Sequence, residues 1–123
     1  MPCERRLGWT LIELLIVVVM VGIVATLALP NYKKMKDATF DKEAIASLKL
    51  IAAAEKVYRL EQGGFAGADS TDVVNARLKL SLPTGDDKKW DYSVVESAGN
   101  FTSTAQRGTK VWKMNQSSEE PYL

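Results

Sequence analysis

The fold of this 123-residue chain is decided near its N-terminus, where residues 5–30 read RRLGWTLIELLIVVVMVGIVATLALP. Within residues 9–29 only four residues fall outside the apolar set: Thr10, Glu13, Gly22 and Thr26. A helix needs about 20 apolar residues to cross a hydrocarbon layer about 30 Å thick. The run is longer than the roughly 7 to 15 apolar residues of a secretory signal peptide. We therefore predict a membrane-spanning helix over residues 9–29.

The helical pattern continues past Pro30 to about Gln62, but it becomes amphipathic. Apolar residues recur largely at three- and four-residue spacings, which predicts one buried face and one solvated face. The predicted buried face comprises Tyr32, Met35, Ile45, Leu48, Ile51, Ala52 and Tyr58. Pro30 lacks a backbone donor, so we expect a kink or a loosened turn there rather than a break. Gly63 and Gly64 predict the end of the helix.

The C-terminal half predicts a short helix followed by strands. Ser70 or Thr71 is expected to cap a helix that reaches Leu78 and is closed by Pro83 and Gly85. Three strand-like runs follow at residues 90–95, 101–106 and 109–114, separated by short turns. The predicted fold is α+β: a long kinked N-terminal helix, its first half transmembrane, packed on a small three-stranded antiparallel sheet. Residues 117–123 are polar and are expected to fray.

The composition argues against several classes of function. The chain has no histidine, Gly-rich phosphate loop, serine elbow or cysteine pair, so we predict neither an enzyme with catalytic residues nor a cofactor. Sixteen basic and 15 acidic side chains give no electrostatic reason to expect nucleic acid. Asp86, Asp87 and Asp91 match no calcium-loop spacing, so we predict a solvated turn and no metal.

The N-terminal motif resembles that of the type IV pilins and the pseudopilins of type II secretion. The resemblance rests on a short basic leader that ends in Gly8 and a single carboxylate, Glu13, five residues later, and it extends to residues 28–32, ALPNY. It implies that a prepilin peptidase removes residues 1–8 by cutting between Gly8 and Trp9, and then methylates the amine of Trp9. Family members usually have Phe at that position, and Trp9 keeps a large aromatic side chain.

Glu13 lies inside the apolar span, where a carboxylate costs about 2.5 to 3.5 kcal/mol on insertion scales and requires a partner. The new amine of Trp9 in a neighbouring subunit would supply a positive charge, and this pairing would set the register between subunits. The alternative is that Glu13 lies near the lipid headgroups and extends to water. Pro30 occupies a position where the family commonly has proline, and a loosened turn there would let the helix flex during assembly.

These observations predict a non-enzymatic structural subunit of a type IV pilus-like filament. Residues 9–29 would form the transmembrane and filament-core helix, and residues 30–123 the periplasmic or extracellular head domain. The expected partners are identical subunits, the prepilin peptidase, the bacterial inner membrane and an assembly platform with its ATPase. The subunit would reside in the inner membrane before assembly, and afterwards in a surface pilus or a periplasmic pseudopilus.

Three alternatives stay open at this point. The first is a pseudopilin of a type II secretion system. The second, from another class, is a single-span membrane protein whose periplasmic domain binds a ligand, with Glu13 incidental. The third is a soluble binding domain released by ordinary signal peptidase near Leu29. Such fibres serve motility, adhesion, DNA uptake and secretion, and the sequence does not choose among these roles.

Overall fold

A computed structural model describes residues 8–123. Its first element is helix α1, Leu11–Gln62, which has 52 residues and contains Pro30 without a break. Gly63 ends the helix as predicted: it takes a φ of 83°, and its N–H donates to the carbonyl of Arg59 at 2.8 Å. The kink expected at Pro30 stays a prediction.

The chain divides into two compact units, the second of which is Thr39–Leu123. In the first unit every described residue from Gly8 onward is exposed. The sequence predicted a boundary between residues 29 and 30, where the helix would leave the membrane. The division of the chain at residue 39 does not test that boundary, which stays a prediction.

Burial along α1 begins only in the second unit. Its fully or nearly buried positions are Ala44, Leu48, Ile51, Ala52 and Glu55. The prediction that Tyr32 and Met35 share this buried face was wrong: both are exposed, because they precede the start of the second unit. Ile45 and Tyr58 are half-buried. The buried face is therefore shorter than the apolar pattern predicted, and it includes a carboxylate.

Helix α2, Thr71–Leu78, begins at a capping residue that the sequence had indicated. Ser70 is extended, and its hydroxyl accepts from the N–H of Val73. The predicted closure by Pro83 and Gly85 was wrong. Lys79 ends the helix in the left-handed region with a φ of 55°, and Gly85 instead opens a short 3-10 turn, Gly85–Asp87.

Three antiparallel strands follow in the order β1, β2, β3: Asp91–Ser97, Asn100–Arg107 and Lys110–Asn115. Two-residue turns join them. Ala98 and Gly99 both have positive φ, as a type I′ hairpin requires, and Gly108 takes positive φ at the start of the second turn. The predicted α+β fold with three antiparallel strands is confirmed, and each strand end lies within one or two residues of its predicted position.

The core of the second unit lies between α1 and the sheet, with α2 closing one side. Trp90, Tyr92 and Phe101 are each about 1% exposed, whereas Trp112 is half-buried against the core. The indole N–H of Trp90 donates to the carbonyl of Phe40 at 2.8 Å. This bond satisfies a polar atom in the core and ties the start of the sheet to α1.

The expectation of a frayed C-terminus was wrong. The N–H of Lys113 donates to the carbonyl of Tyr122 at 2.7 Å, and the N–H of Tyr122 donates to the carbonyl of Lys113 at 2.8 Å. Nearby, Lys49 pairs with Glu120 at 2.7 Å. The tail is held because its backbone N–H and C=O groups pair with those on the outer edge of β3. The polarity of the tail residues does not reveal this backbone pairing.

Candidate functional site

The sequence-predicted site residues lie at the start of α1 and within its first half. Gly8, Trp9 and Thr10 precede the helix, all three are exposed, and no described atom lies within 4 Å of where a side chain at Gly8 would begin. The indole of Trp9 is 68% exposed. Residues 1–7 of the predicted leader lie outside the described residues, so its removal stays a prediction.

Thr10 caps the helix, a role that our sequence reasoning missed. Its hydroxyl accepts from the N–H of Glu13 at 3.3 Å, and its carbonyl accepts from the N–H of Leu14 at 3.1 Å. The signal was present as Thr-x-x-Glu before an apolar run, the spacing of a capping box. Thr10 therefore supplies a local reason for the helix to begin where it does.

Glu13 lies in the first turn of α1. The positive end of the helix dipole favours a carboxylate there by about 0.3 to 1 kcal/mol at an exposed surface. Its side chain is exposed, and within residues 8–123 no hydrogen-bond or ion-pair partner is present for the carboxylate. Because its neighbours along the helix are apolar, any surface that buries them also dehydrates Glu13. The geometry thus leaves this charge in need of a partner from outside the described residues 8–123.

Gly22, Thr26 and Pro30 follow one another at four-residue intervals on α1. The hydroxyl of Thr26 donates to the carbonyl of Gly22 at 2.7 Å, so this polar group is satisfied within its own helix. Pro30 has no N–H to donate to the carbonyl of Thr26. The helix therefore carries no exposed hydroxyl donor at Thr26, while the turn before Pro30 lacks one of its usual hydrogen bonds.

The large apolar side chains of residues 14–29 surround α1 on all sides. They are between 43% and 68% exposed. Among the described residues, α1 is the one helix long and apolar enough to cross a membrane. A continuous apolar surface of this size does not remain in water, so it requires lipid or another protein as its cover.

The acidic turn before β1 behaves differently from a metal site. Asp86 and Asp87 are exposed, and Asp91 pairs with Lys88 at 2.7 Å. Over residues 8–123 there is no group of three or more acidic or cysteine side chains close enough to hold a metal ion. An exposed pair of this kind contributes little stability.

Comparison with curated proteins finds relatives over most of the chain. One is named type IV major pilin protein PilA, from Myxococcus xanthus, and is 39% identical over 96 residues, which are 78% of this chain and 40% of the relative. Type II secretion system core protein G from Pseudomonas aeruginosa is 32% identical over 91 residues, 74% of this chain and 63% of the relative. Competence protein ComGC from Streptococcus pneumoniae is 33% identical over 55 residues, 45% of this chain and 51% of the relative.

The chain spans less than two thirds of the length of each of these relatives. No family model matches it, and no solved structure matches it. None of the three names describes an enzyme.

Proposed function

Since the chain belongs to the type IV pilin and pseudopilin family, we propose that it is the precursor of a subunit that polymerises into a filament through α1. It is a structural subunit rather than an enzyme. The observation that carries the proposal is the exposed, uncharged apolar surface of residues 14–29. It begins one residue after the carboxylate of Glu13, which has no partner among residues 8–123. Such an apolar surface is unfavourable in water, and it stabilises a polymer in which neighbouring subunits cover it.

Processing is the first step of the proposed function. A membrane-embedded prepilin peptidase cuts between Gly8 and Trp9 and methylates the amine of Trp9. The exposed, non-helical backbone at these two residues supports this step, because a protease needs an accessible non-helical substrate. The open space around Gly8 shows that the fold itself does not require glycine there. The requirement for glycine would then come from the peptidase.

Pairing of Glu13 with the Trp9 amine of an adjoining subunit is the second step. The carboxylate has no described partner in its own chain, and an unpaired charge costs several kcal/mol when it is buried. In a filament core the two opposite charges would neutralise each other at one relative position of the subunits only. The pair would therefore fix the axial register while the apolar surface supplies the contact area.

Transfer from the inner membrane to the filament is the third step. Residues 14–29 leave lipid and are covered by helices of identical subunits, so apolar surface remains out of water throughout. The missing hydrogen bond before Pro30 gives the helix a position at which to flex during this transfer. An assembly platform with its ATPase would provide the work, and the product would be a surface pilus.

A pseudopilin of a type II secretion system is the second candidate. It is favoured by the Pseudomonas relative, of which this chain covers 63%, compared with 40% of the Myxococcus pilin. The same helix, processing and pairing would then build a periplasmic fibre instead of a surface pilus. A single-span anchor with a ligand-binding head lacks this support, because an anchor requires neither Gly8 nor Glu13.

Intact-mass analysis of the protein purified from membranes tests the proposal. The expected chain begins at Trp9, carries one added methyl group on its amine and lacks Cys3. A chain that retains Met1, or one that begins near Leu29, would exclude processing by a prepilin peptidase. The location of the fibres, outside the cell or confined to the periplasm, then separates the pilus from the pseudopilus.

A further inference from the structure

A cationic groove of about 680 Å³ lies where α1 ends. Its two cations, Lys56 and Arg59, are exposed and three residues apart, so they lie on the same side of the helix. The guanidinium of Arg59 lies 5.1 Å from the centroid of the Phe65 ring, which holds it at the groove. Neither cation has an ion-pair partner among residues 8–123. The groove is lined by Lys56, Arg59, Leu60, Gly63, Phe65 and Gln116.

The wall of the cationic groove also contains an unsatisfied hydrogen-bond acceptor. Oε1 of Gln116 is buried and accepts no hydrogen bond from residues 8–123. A buried acceptor without a donor is unfavourable, so a ligand that brings an N–H group to it would be stabilised. The cationic groove therefore fits a ligand that carries both negative charge and a free N–H donor.

The short 3-10 turn Gly85–Asp87, which we call the acidic turn, has this chemistry. Asp86 and Asp87 are adjacent and exposed, and neither pairs with a cation within residues 8–123. No described atom lies within 4 Å of where a side chain at Gly85 would begin, so the turn projects from the surface. The N–H groups that open such a turn are not used within it. The acidic turn thus offers two carboxylates and a donor together.

The acidic turn and the cationic groove lie at opposite ends of the second unit. The turn shortly precedes Trp90, whose indole N–H donates to the carbonyl of Phe40 at 2.8 Å, near the start of the packed part of α1. The groove lies at the other end of α1, where the rings of Phe65 and Phe101 are 4.8 Å apart between centroids. Residues 40 and 60 of the helix are about 30 Å apart. One subunit therefore cannot fill its own groove, and pairing between copies would propagate from subunit to subunit instead of closing in a dimer.

We propose that the acidic turn of one subunit docks in the cationic groove of a second copy. The carboxylates of the turn pair with the two cations of the groove, and an N–H that opens the turn donates to Oε1 of Gln116. Exposed ion pairs are weak, so this contact would not hold two free subunits together. This inference rests on the proposed function, because a filament joined through α1 keeps the two surfaces at high effective concentration. Docking then fixes the orientation of each head domain relative to the next.

Charge reversal followed by compensation tests the docking. Lys56→Glu with Arg59→Glu should lower the yield of sheared filaments about tenfold, because like charges would then face each other in the contact. Adding Asp86→Lys and Asp87→Lys to the same chain should restore the yield, since the pairs form again with opposite sign. The processed subunit should remain equally abundant in the membrane, and its melting temperature should stay that of the parent.

A second compensation separates docking from net charge. The chain with Asp86→Lys and Asp87→Lys is combined instead with Lys42→Glu and Lys113→Glu, at two exposed lysines outside the groove. This chain has the parent's net charge without matched charges in the contact, so its filament yield should stay low. Equal yields from the two compensated chains, or normal yields from the charge-reversed chains, would refute the docking and leave the proposed function intact.

Cross-linking in filaments locates the contact directly. The chain carries Cys3→Ser, Arg59→Cys and Asp87→Cys, and a short thiol-specific cross-linker should give a ladder of dimers, trimers and higher species. The control has Asp69→Cys in place of Asp87→Cys, at an exposed carboxylate outside the acidic turn, and should give no ladder. Filaments without a ladder from the first chain, or equal ladders from both, would overturn the docking. A parent chain that is never processed and forms no filaments would overturn the proposed function as well.

Discussion

Glu55 and Ala66 are joined by a hydrogen bond of 2.8 Å from the backbone N–H of Ala66 to Oε2 of the carboxylate. This bond ties the last turns of α1 to the loop that follows. Glu55 is fully buried, and its other oxygen has no partner among residues 8–123. Burial raises the pKa of Glu55, the Ala66 N–H opposes this shift, and the nearby charge of Glu96 adds to it.

The raised pKa predicts that the fold loses stability as the pH rises. Because the folded state binds the Glu55 proton more tightly than the unfolded state, Glu55 contributes its full stabilisation below about pH 4.3, the pKa of an unfolded glutamate. This stabilisation is lost as the pH rises through the higher pKa of the folded state. Glu55→Gln stays neutral, so thermal unfolding of the detergent-solubilised chain should depend less on pH between about pH 4 and pH 8. The matched control is Glu119→Gln at an exposed position, which should keep the parent's pH dependence. A slope unchanged by Glu55→Gln would contradict the prediction.

Two leucines on opposite faces of α1 should differ in their effect on stability. Leu48 is fully buried, so Leu48→Ala is expected to lower the free energy of unfolding by about 2 to 5 kcal/mol. Leu50 is 48% exposed, so Leu50→Ala should change the free energy of unfolding by less than about 1 kcal/mol. Denaturant unfolding of the two variants in the same detergent makes the comparison. Equal losses would show that the inner face does not carry the core.

A fragment that starts near Lys33 should be soluble, folded and monomeric. It retains all of the second unit, Thr39–Leu123, and with it the core between α1 and the sheet. It also lacks residues 14–29, whose large apolar side chains are exposed. Circular dichroism and sedimentation velocity check the fold and the mass. Aggregation in water would mean that the second unit needs the first to fold.

Replacing Glu13 by leucine should separate membrane insertion from assembly. Glu13→Leu removes a cost of up to about 3 kcal/mol in the bilayer, so the subunit should be at least as abundant in the membrane. In the filament the Trp9 amine of the adjoining subunit would lose its counter-charge, so fibres should become rare. Immunoblots of membranes and of sheared fibres provide the two measurements. Normal amounts in both fractions would return the single-span anchor to first place.

Replacing Gly8 by valine should block processing without disturbing the fold. The space around Gly8 is open in the subunit, so any defect arises at the peptidase. The expected product is a full-length precursor held in the membrane, with an intact mass that includes residues 1–8. Ala76→Val, at an exposed position on α2, serves as a processing control. Fibres of normal length from Gly8→Val would show that residues 1–8 are not a peptidase leader.

The start or end of a helix was predictable from the sequence where a residue has a specific backbone role. Gly63 supplies the left-handed conformation that ends α1, and Ser70 supplies the oxygen that begins α2. Lys79 gave no such signal, because a lysine adopts positive φ only when surrounding contacts impose it. Likewise, the sequence indicates a solvated side chain at Glu55, because the loop at Ala66 that buries it comes close only in the folded protein.

The candidate site also has features that the sequence could predict and features that only the fold decides. The spacing of Gly8 and Glu13 is local, so it was visible in the sequence together with the apolar span. The face of α1 that is buried was not visible, because Leu48 and Leu50 are equally apolar and only the folded sheet decides which of them is covered. When a helix has apolar residues on two opposite faces, its sequence does not determine which face is buried. Packing against the sheet decides this.

The pairing of Tyr122 with Lys113 has a consequence for the proposed filament, in which identical subunits would lie side by side. It occupies part of the outer edge of β3, and the bridge between Ala68 and Val94 occupies part of the outer edge of β1. Open edges on closely spaced identical sheets would recruit one another into stacked cross-β material. Because part of each edge is already paired inside the subunit, crowding of subunits would favour growth through the helices over amyloid-like growth through the sheets.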